Sequence, residues 1–194
     1  VAGAWGICGL PRAGLVTLSG VFQVWGLSSL MALYVSVIRG TPLLVQIFIF
    51  YYGLPSVGIE LSPITAGILT LTLNVAAYMS ETLRGSINAV TQGQWQAGTS
   101  LGLTRDQTLR YVVGPQALRA AVPSLSNSLI SLIKDTSLVS VIAVTELMLA
   151  TKELISTTFQ PFPLYLAAAA IYWVLSLSFE QIQRWMEKRV AYPY

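Results

Sequence analysis

Lys134 and Asp135 stand side by side inside an otherwise apolar run, Ala120–Ile142. Ionisable groups at membrane depth are costly, so they pair with each other or line a polar cavity. A zwitterionic solute could present its carboxylate to Lys134, or to nearby helix-end amides, and its amine to Asp135. The bland alternative is that the two residues satisfy each other or a helix end. Thr136 and Ser137 follow directly, and either share the substrate path or cap the next helix. Gln46 and Asn74 are further candidates for that path. Each is a lone amide within an apolar span, Leu43–Tyr52 and Ile64–Ala77. A buried amide needs a partner, and an interhelical hydrogen bond would serve as well as a substrate. This is chemistry of binding and passage. Covalent catalysis is poorly supplied, with no histidine and one cysteine, Cys8. That removes histidine metal sites, histidine acid–base work, an intrachain disulfide and any multi-cysteine metal site. No catalytic residue and no metal site is expected, and the acids are scattered.

One short stretch imitates a phosphate-binding loop. Gly93-Gln94-Trp95-Gln96-Ala97-Gly98-Thr99-Ser100 nearly fits GxxxxGK[ST], but Thr99 stands where the lysine belongs. Without that cation the phosphates lose their main counter-charge, and no strand precedes the loop, so the match is read as coincidence. Glu81 and Arg84 can meet on one helix face and are read as a structural ion pair near the inner boundary. Arg39 is expected to reach the inner headgroups, with Gly40 and Pro42 marking a helix start or a kink.

The elements that must position these residues belong in lipid. Of 194 residues, 54% are hydrophobic and 10% charged, against about a quarter charged in soluble domains. Ala13–Ile38, Leu61–Ser80 and Leu154–Phe179 carry no charge and are long enough for the ~20 apolar residues that span a hydrocarbon core. The net charge of +3 is too small to imply nucleic acid. Arg84, Arg105, Arg110 and Arg119 face one acid, Asp106, and the tail holds Arg184, Lys188 and Arg189, whereas Pro55–Ser62 holds only Glu60. The positive-inside tendency puts the 84–119 loop and the C-terminus in the cytoplasm, and the 55–62 loop outside. Tyr34–Leu54 then runs outward, Pro63–Leu83 inward, Gln116–Ile133 outward and Leu164–Trp185 inward. Parity makes Leu138–Ala150 a half-penetrating or surface-parallel helix. Gln160–Pro163 reads as the outer turn before the last helix. Trp173, Trp185, Tyr165, Tyr192 and Tyr194 read as lipid-facing or belt residues. Val1–Gln23 is glycine-rich, a poor start for a regular helix, and the N-terminal part is expected to be incomplete.

Between the apolar stretches lies a short polar elbow. Thr104 reads as the N-cap of Arg105–Val113, Gly102 as the end of the helix before it, and Pro115 as the start of the next segment. Trp95 and Leu101 are candidate apolar anchors for a partner, unless they pack against the chain's own helices.

Gln96-Ala97-Gly98, Gly102 and Val112-Val113-Gly114-Pro115 resemble the signature loop of bacterial ABC-transporter permeases, E-A-A-x3-G-x9-I-x-L-P. Arg39–Gln46 is similar to RGTPLLVQ, and Ala77-Tyr78 with Glu81 and Arg84-Gly85 to AYxxExxRG. Pro115–Arg119 is similar to PQALR, and Lys134–Ile142 to KDTSLVSVI. These strings, spread over residues 34–189, resemble the polar amino acid uptake permeases of binding-protein-dependent importers. The resemblance implies an all-α membrane protein with a single transmembrane permease domain over 1–194 and the type I ABC importer fold. It would hold about five transmembrane helices, a half-penetrating helix and a cytoplasmic coupling elbow at 94–113. It implies a multi-pass permease in the bacterial inner membrane that moves amino acids from a binding protein into the cytoplasm. Two ABC ATPase subunits would bind the ATP and magnesium, leaving this chain no cofactor, and a second permease, identical or sister, would complete the path. Trp95, Gln96, Ala97, Gly98, Leu101, Gly102, Arg105 and Pro115 would form the ATPase-coupling surface. Two departures stand out: Gln96 replaces the usual glutamate and Gly98 the second alanine. A degenerate loop would suit a heterodimer. A passive channel or scaffold is the alternative function, and a membrane enzyme lacks the residues.

Overall fold

The computed structural model describes residues 25–190, and the readings on Val1–Gln23 lie outside them. Every regular element among the described residues is helical. Helix α1 spans Trp25–Gly40 and α2 spans Leu43–Phe48, with α2 continued by a wide π turn, Ile49–Gly53, and a tight 3-10 turn, Leu54–Val57. Between them the axis turns through 111°. Tyr34–Leu54 is therefore a broken segment, bent where Gly40 and Pro42 mark a helix start or a kink. The cause is Pro42, whose missing N–H cannot serve the carbonyl of Ile38 four residues back.

Helix α3, Pro63–Ala89, is unbroken over 27 residues. The elbow follows as α4, Gln92–Ser100, and α5, Arg105–Thr108. The helix does not stop at Pro115, as its sequence suggested. It passes from α5 through a π turn, Leu109–Val113, into α6, Gly114–Asp135. A widened turn directly before a proline accommodates the ring and the lost hydrogen bond without ending the helix.

Leu138–Ala150 is not one helix. A 3-10 segment, Thr136–Ile142, stops at Ala143, whose φ of 58° is left-handed, and α7 begins at Leu147 and runs to Thr158. Glu146 caps α7, accepting from the backbone N–H groups of Met148 at 2.8 Å and Leu149 at 2.7 Å. Thr136 and Ser137 cap nothing. Their hydroxyls donate backward to the carbonyls of Ile133 and Lys134 at 2.6 and 2.7 Å. Helix α8, Pro161–Val190, opens directly after Phe159–Gln160, so Pro161 and Pro163 sit in its first turn, where a proline costs no hydrogen bond.

Pro63–Ala89 and Pro161–Lys188 are long and apolar enough to cross a membrane, and the bent pair Ser29–Gly40 and Leu43–Val57 could make a third crossing. Helix α6, with 22 residues, has the length for one at about 1.5 Å per residue, but its serines and Asn127 make it more polar. Only 6% of the apolar window of α8 is buried. Its exposed Leu166, Trp173 and Val174 present the surface that lipid or a neighbouring subunit would cover.

The described residues divide into two compact units, 25–37 with Met79–Val122 and Ile38–Tyr78 with 123–190. In the second, Ile47, Ala66, Val139 and Ile142 form a buried cluster joined by Leu43, Phe50 and Leu138. The 3-10 segment supplies its valine and one of its two isoleucines, Ile142, which holds the chain just after Asp135.

Candidate functional site

Within the second unit, the α1–α2 bend, the middle of α3 and the C-terminal part of α6 line an open cavity of about 410 Å³, in the range of roughly 300–1,000 Å³ typical of small-molecule pockets. Its polar lining is Thr41, Asn74, Tyr78, Asn127, Ser128, Ser131 and Asp135, set among Pro42, Leu43, Val75, Leu132 and Leu138. Asp135 is the one charged group among these lining residues. It makes no salt bridge or hydrogen bond among the described residues. Lys134 is exposed and does not line the cavity, so the two neighbours form no salt bridge and share no site, although the Lys134 charge still acts on the carboxylate. Thr136 and Ser137 are also absent from the wall.

Asn74 enters the cavity from α3, and Gln46 stands behind it. Gln46 is 4% exposed, and its Oε1 accepts from Nδ2 of Asn74 at 3.0 Å. The two amides named from sequence are thus partners, with one on the wall and one supporting it. Five polar lining residues were missed: Thr41, Tyr78, Asn127, Ser128 and Ser131. A signal for some of them was present. Asn127, Ser131 and Asp135 recur every fourth residue, which puts polar groups along one helix face, and Asn74 and Tyr78 have the same spacing. Tyr78 also lies under the guanidinium of Arg39, 5.5 Å from its ring centre.

The first unit contains the elbow. Helix α4 ends in a Schellman arrangement. Gly102, with φ of 77°, donates to the carbonyl of Thr99 at 3.0 Å, and Leu103 donates to that of Gly98 at 3.2 Å. Thr104 then opens α5 with a full capping box. Its Oγ1 accepts from the backbone of Gln107 at 3.3 Å, and its own N–H donates to Oε1 of Gln107 at 2.8 Å. Gln116 donates to Oε1 of Gln94 at 3.1 Å and to the carbonyl of Val112 at 2.9 Å, tying the first turn of α4 to α6.

Gly98 is where the two elbow helices touch. A β-carbon there would lie 2.7 Å from Oγ1 and 3.0 Å from Cβ of Thr108, and closer still to its Cγ2. Thr108 is fully buried, and its Oγ1 has no hydrogen-bond partner among the described residues. Glycine in place of the motif's alanine is therefore a packing requirement of this chain. Gln96, Ala97, Gly102, Arg105 and Pro115 are exposed, Trp95 is half-buried, and Leu101 is 79% exposed. Arg105 sits over the ring of Trp95 at 5.9 Å. Leu101 does not pack against the chain's own described helices. Before the elbow, Arg84 and Glu81 form the expected ion pair through two hydrogen bonds.

The profile of the family described as "Binding-protein-dependent transport system inner membrane component" matches residues 13–192. The L-cystine transport system permease protein TcyB of Bacillus subtilis is 42% identical over 185 residues, covering 95% of this chain and 79% of the relative. The glutamine transport system permease protein GlnP of Escherichia coli K12 is 36% identical over 184 residues, covering 94% and 84%. The crystal structure of an amino acid ABC transporter with histidines superposes with a TM-score of 0.83 at 37% identity, covering 91% of this chain and 83% of that one. The chain therefore belongs to the inner membrane components of binding-protein-dependent transport systems, the permease subunits.

Proposed function

We propose that this chain is a permease subunit of an ATP-driven importer of amino acids, and that its cavity takes the amino acid during passage. The observation that carries the substrate reading is Asp135, a carboxylate in the cavity wall with no salt bridge among the described residues. A substrate ammonium supplies a counter-charge in direct contact, which Lys134 does not, and a charge-assisted hydrogen bond of that kind is about twice as strong as a neutral one. Names of relatives that carry cystine and glutamine support an amino acid over other solutes.

The elbow, with Trp95, Gln96, Ala97, Gly98, Leu101, Gly102 and Arg105, docks on a separate ATPase subunit that binds ATP and magnesium. Pro115 follows it at the head of α6. Closure of two ATPases moves the elbows of two permeases, and the difference in contact energy between the states drives the path open. The elbow and the C-terminus then face the cytoplasm, and a binding protein delivers solute at the opposite face. The second permease is an identical or a sister chain.

Reconstitution of the permeases with their ATPase and binding protein in proteoliposomes tests this directly. Labelled amino acids should enter only with ATP, and a permease carrying Asp135→Asn should assemble yet take up little. Equal uptake with and without ATP would instead identify a passive channel.

A further inference from the structure

Gln46 lies outside the cavity wall, yet both ends of its buried carboxamide are engaged. Nε2 donates to the carbonyl of Ile38 at 2.7 Å, to that of Thr41 at 3.1 Å and to Oγ1 of Thr41 at 2.9 Å. The need arises at the break in the helix. The Ile38 carbonyl would receive its α-helical bond from residue 42, which is a proline with no N–H, and Gln46 supplies the donor instead. Backbone carbonyls only accept, so this end of the amide is its nitrogen, and the flipped orientation would set three oxygens against one another. The opposite end is therefore Oε1, which can only accept, and Asn74 must offer it Nδ2. That fixes Asn74 in turn. Its nitrogen faces Gln46, and its Oδ1, which takes no protein donor among the described residues, is left to the cavity.

We propose that Gln46 is a positioning residue for the transport cavity. It turns Asn74 so that its carbonyl oxygen joins the Asp135 carboxylate in a wall that takes hydrogen-bond donors, and so selects the ammonium end of the solute. This rests on the cavity being the substrate path, as proposed above. The broken helix and the recognition of an amine are then one device, because the proline at the bend orphans the Ile38 carbonyl that orients the glutamine.

The test is equilibrium binding to the purified permease–ATPase complex. The probes are an equimolar labelled mixture of the twenty protein amino acids with L-cystine, and the same mixture N-acetylated to remove the ammonium. Gln46→Met should lower the preference for the free amine by about tenfold, the scale of one lost hydrogen bond to a charged group. Asn74→Ala should do the same. The double variant should match Asn74→Ala within about twofold, because residues acting through one another are not additive. Gln46→Glu, held neutral by burial and by the two facing carbonyls, donates its O–H to the Ile38 carbonyl, keeps an acceptor facing Asn74 and should retain the preference within about threefold. Wild-type complex that does not bind the mixture, or Asn74→Ala binding it as wild type does, would reject the cavity as the substrate path. Weakened binding in Asn74→Ala with a wild-type preference in Gln46→Met would overturn the positioning role alone. So would full additivity, or an equal loss in Gln46→Glu. Failure of both Gln46 variants to assemble would assign Gln46 to the fold only and also overturn the proposal.

Discussion

A carboxylate in a cavity wall between helices keeps its charge only if something replaces the water it has given up. Asp135 has no hydrogen bond or salt bridge to do this among the described residues, and a transported ammonium fits the requirement. Asp135→Asn keeps shape and volume, and should cut ATP-driven uptake about tenfold or more, the loss of a charge-assisted bond, while the complex still assembles. Lys134→Gln should change uptake by less than about twofold, as surface substitutions do, because Lys134 is exposed and off the wall. The same transport assay reads both. Asp135 and Asn74 were legible as polar residues in apolar runs. Lys134 could not be separated from Asp135 in that way, because neighbours on a helix point about 100° apart and only tertiary placement says which one faces a cavity. Thr136 and Ser137 misled for a related reason. A hydroxyl that could cap a following helix can equally donate back to its own turn, and here both do.

The elbow is held at its glycine corner by the Schellman bonds, at Thr104 by the capping box and at Gln116 by the link to Gln94. A part proposed to transmit force needs such stiffness, and Gly98 against Thr108 sets how closely its helices approach. Gly98→Ala should overpack this contact at a cost of about 1–3 kcal/mol and raise the ATP hydrolysed per amino acid imported. Thr108→Ala in the same chain removes the crowding atoms and should restore the ratio; no rescue would show that Gly98 matters for another reason. In the second unit, Glu146 accepts from two backbone N–H groups and from the hydroxyl of Tyr172 at 2.7 Å. Glu146→Ala removes a cap and orphans the hydroxyl, and should cost about 1–3 kcal/mol, seen as a lower temperature of half-inactivation of the solubilised complex. Tyr172→Phe should cost about 1 kcal/mol. Cap and glycine signals at Gly102 and Thr104 were readable because they act within four residues. The helix that runs on past Pro115 was harder to read, since a proline can end, bend or merely widen a helix and the surrounding packing decides which, and the left-handed stop at Ala143 has no glycine to announce it.

At the scale of the molecule, an apolar helical chain carries two polar features, the cavity and the elbow. Membership of the family and its all-helical build were legible from composition and from strings such as Arg39–Gln46 and Lys134–Ile142, because those strings lie over much of the chain. The partners proposed rest on the resemblance, since nothing in one chain's periodicity states how many subunits surround it. The central claim is that the elbow takes mechanical work from a separate nucleotide hydrolase. A photo-crosslinking benzoylphenylalanine placed at Leu101, which is 79% exposed, tests it in the assembled importer in membranes. The expected result is a covalent adduct with the ATPase subunit whose yield changes between the nucleotide-free and ATP-trapped states. Adducts confined to lipid or to the binding protein, with none to the ATPase in either state, would contradict it.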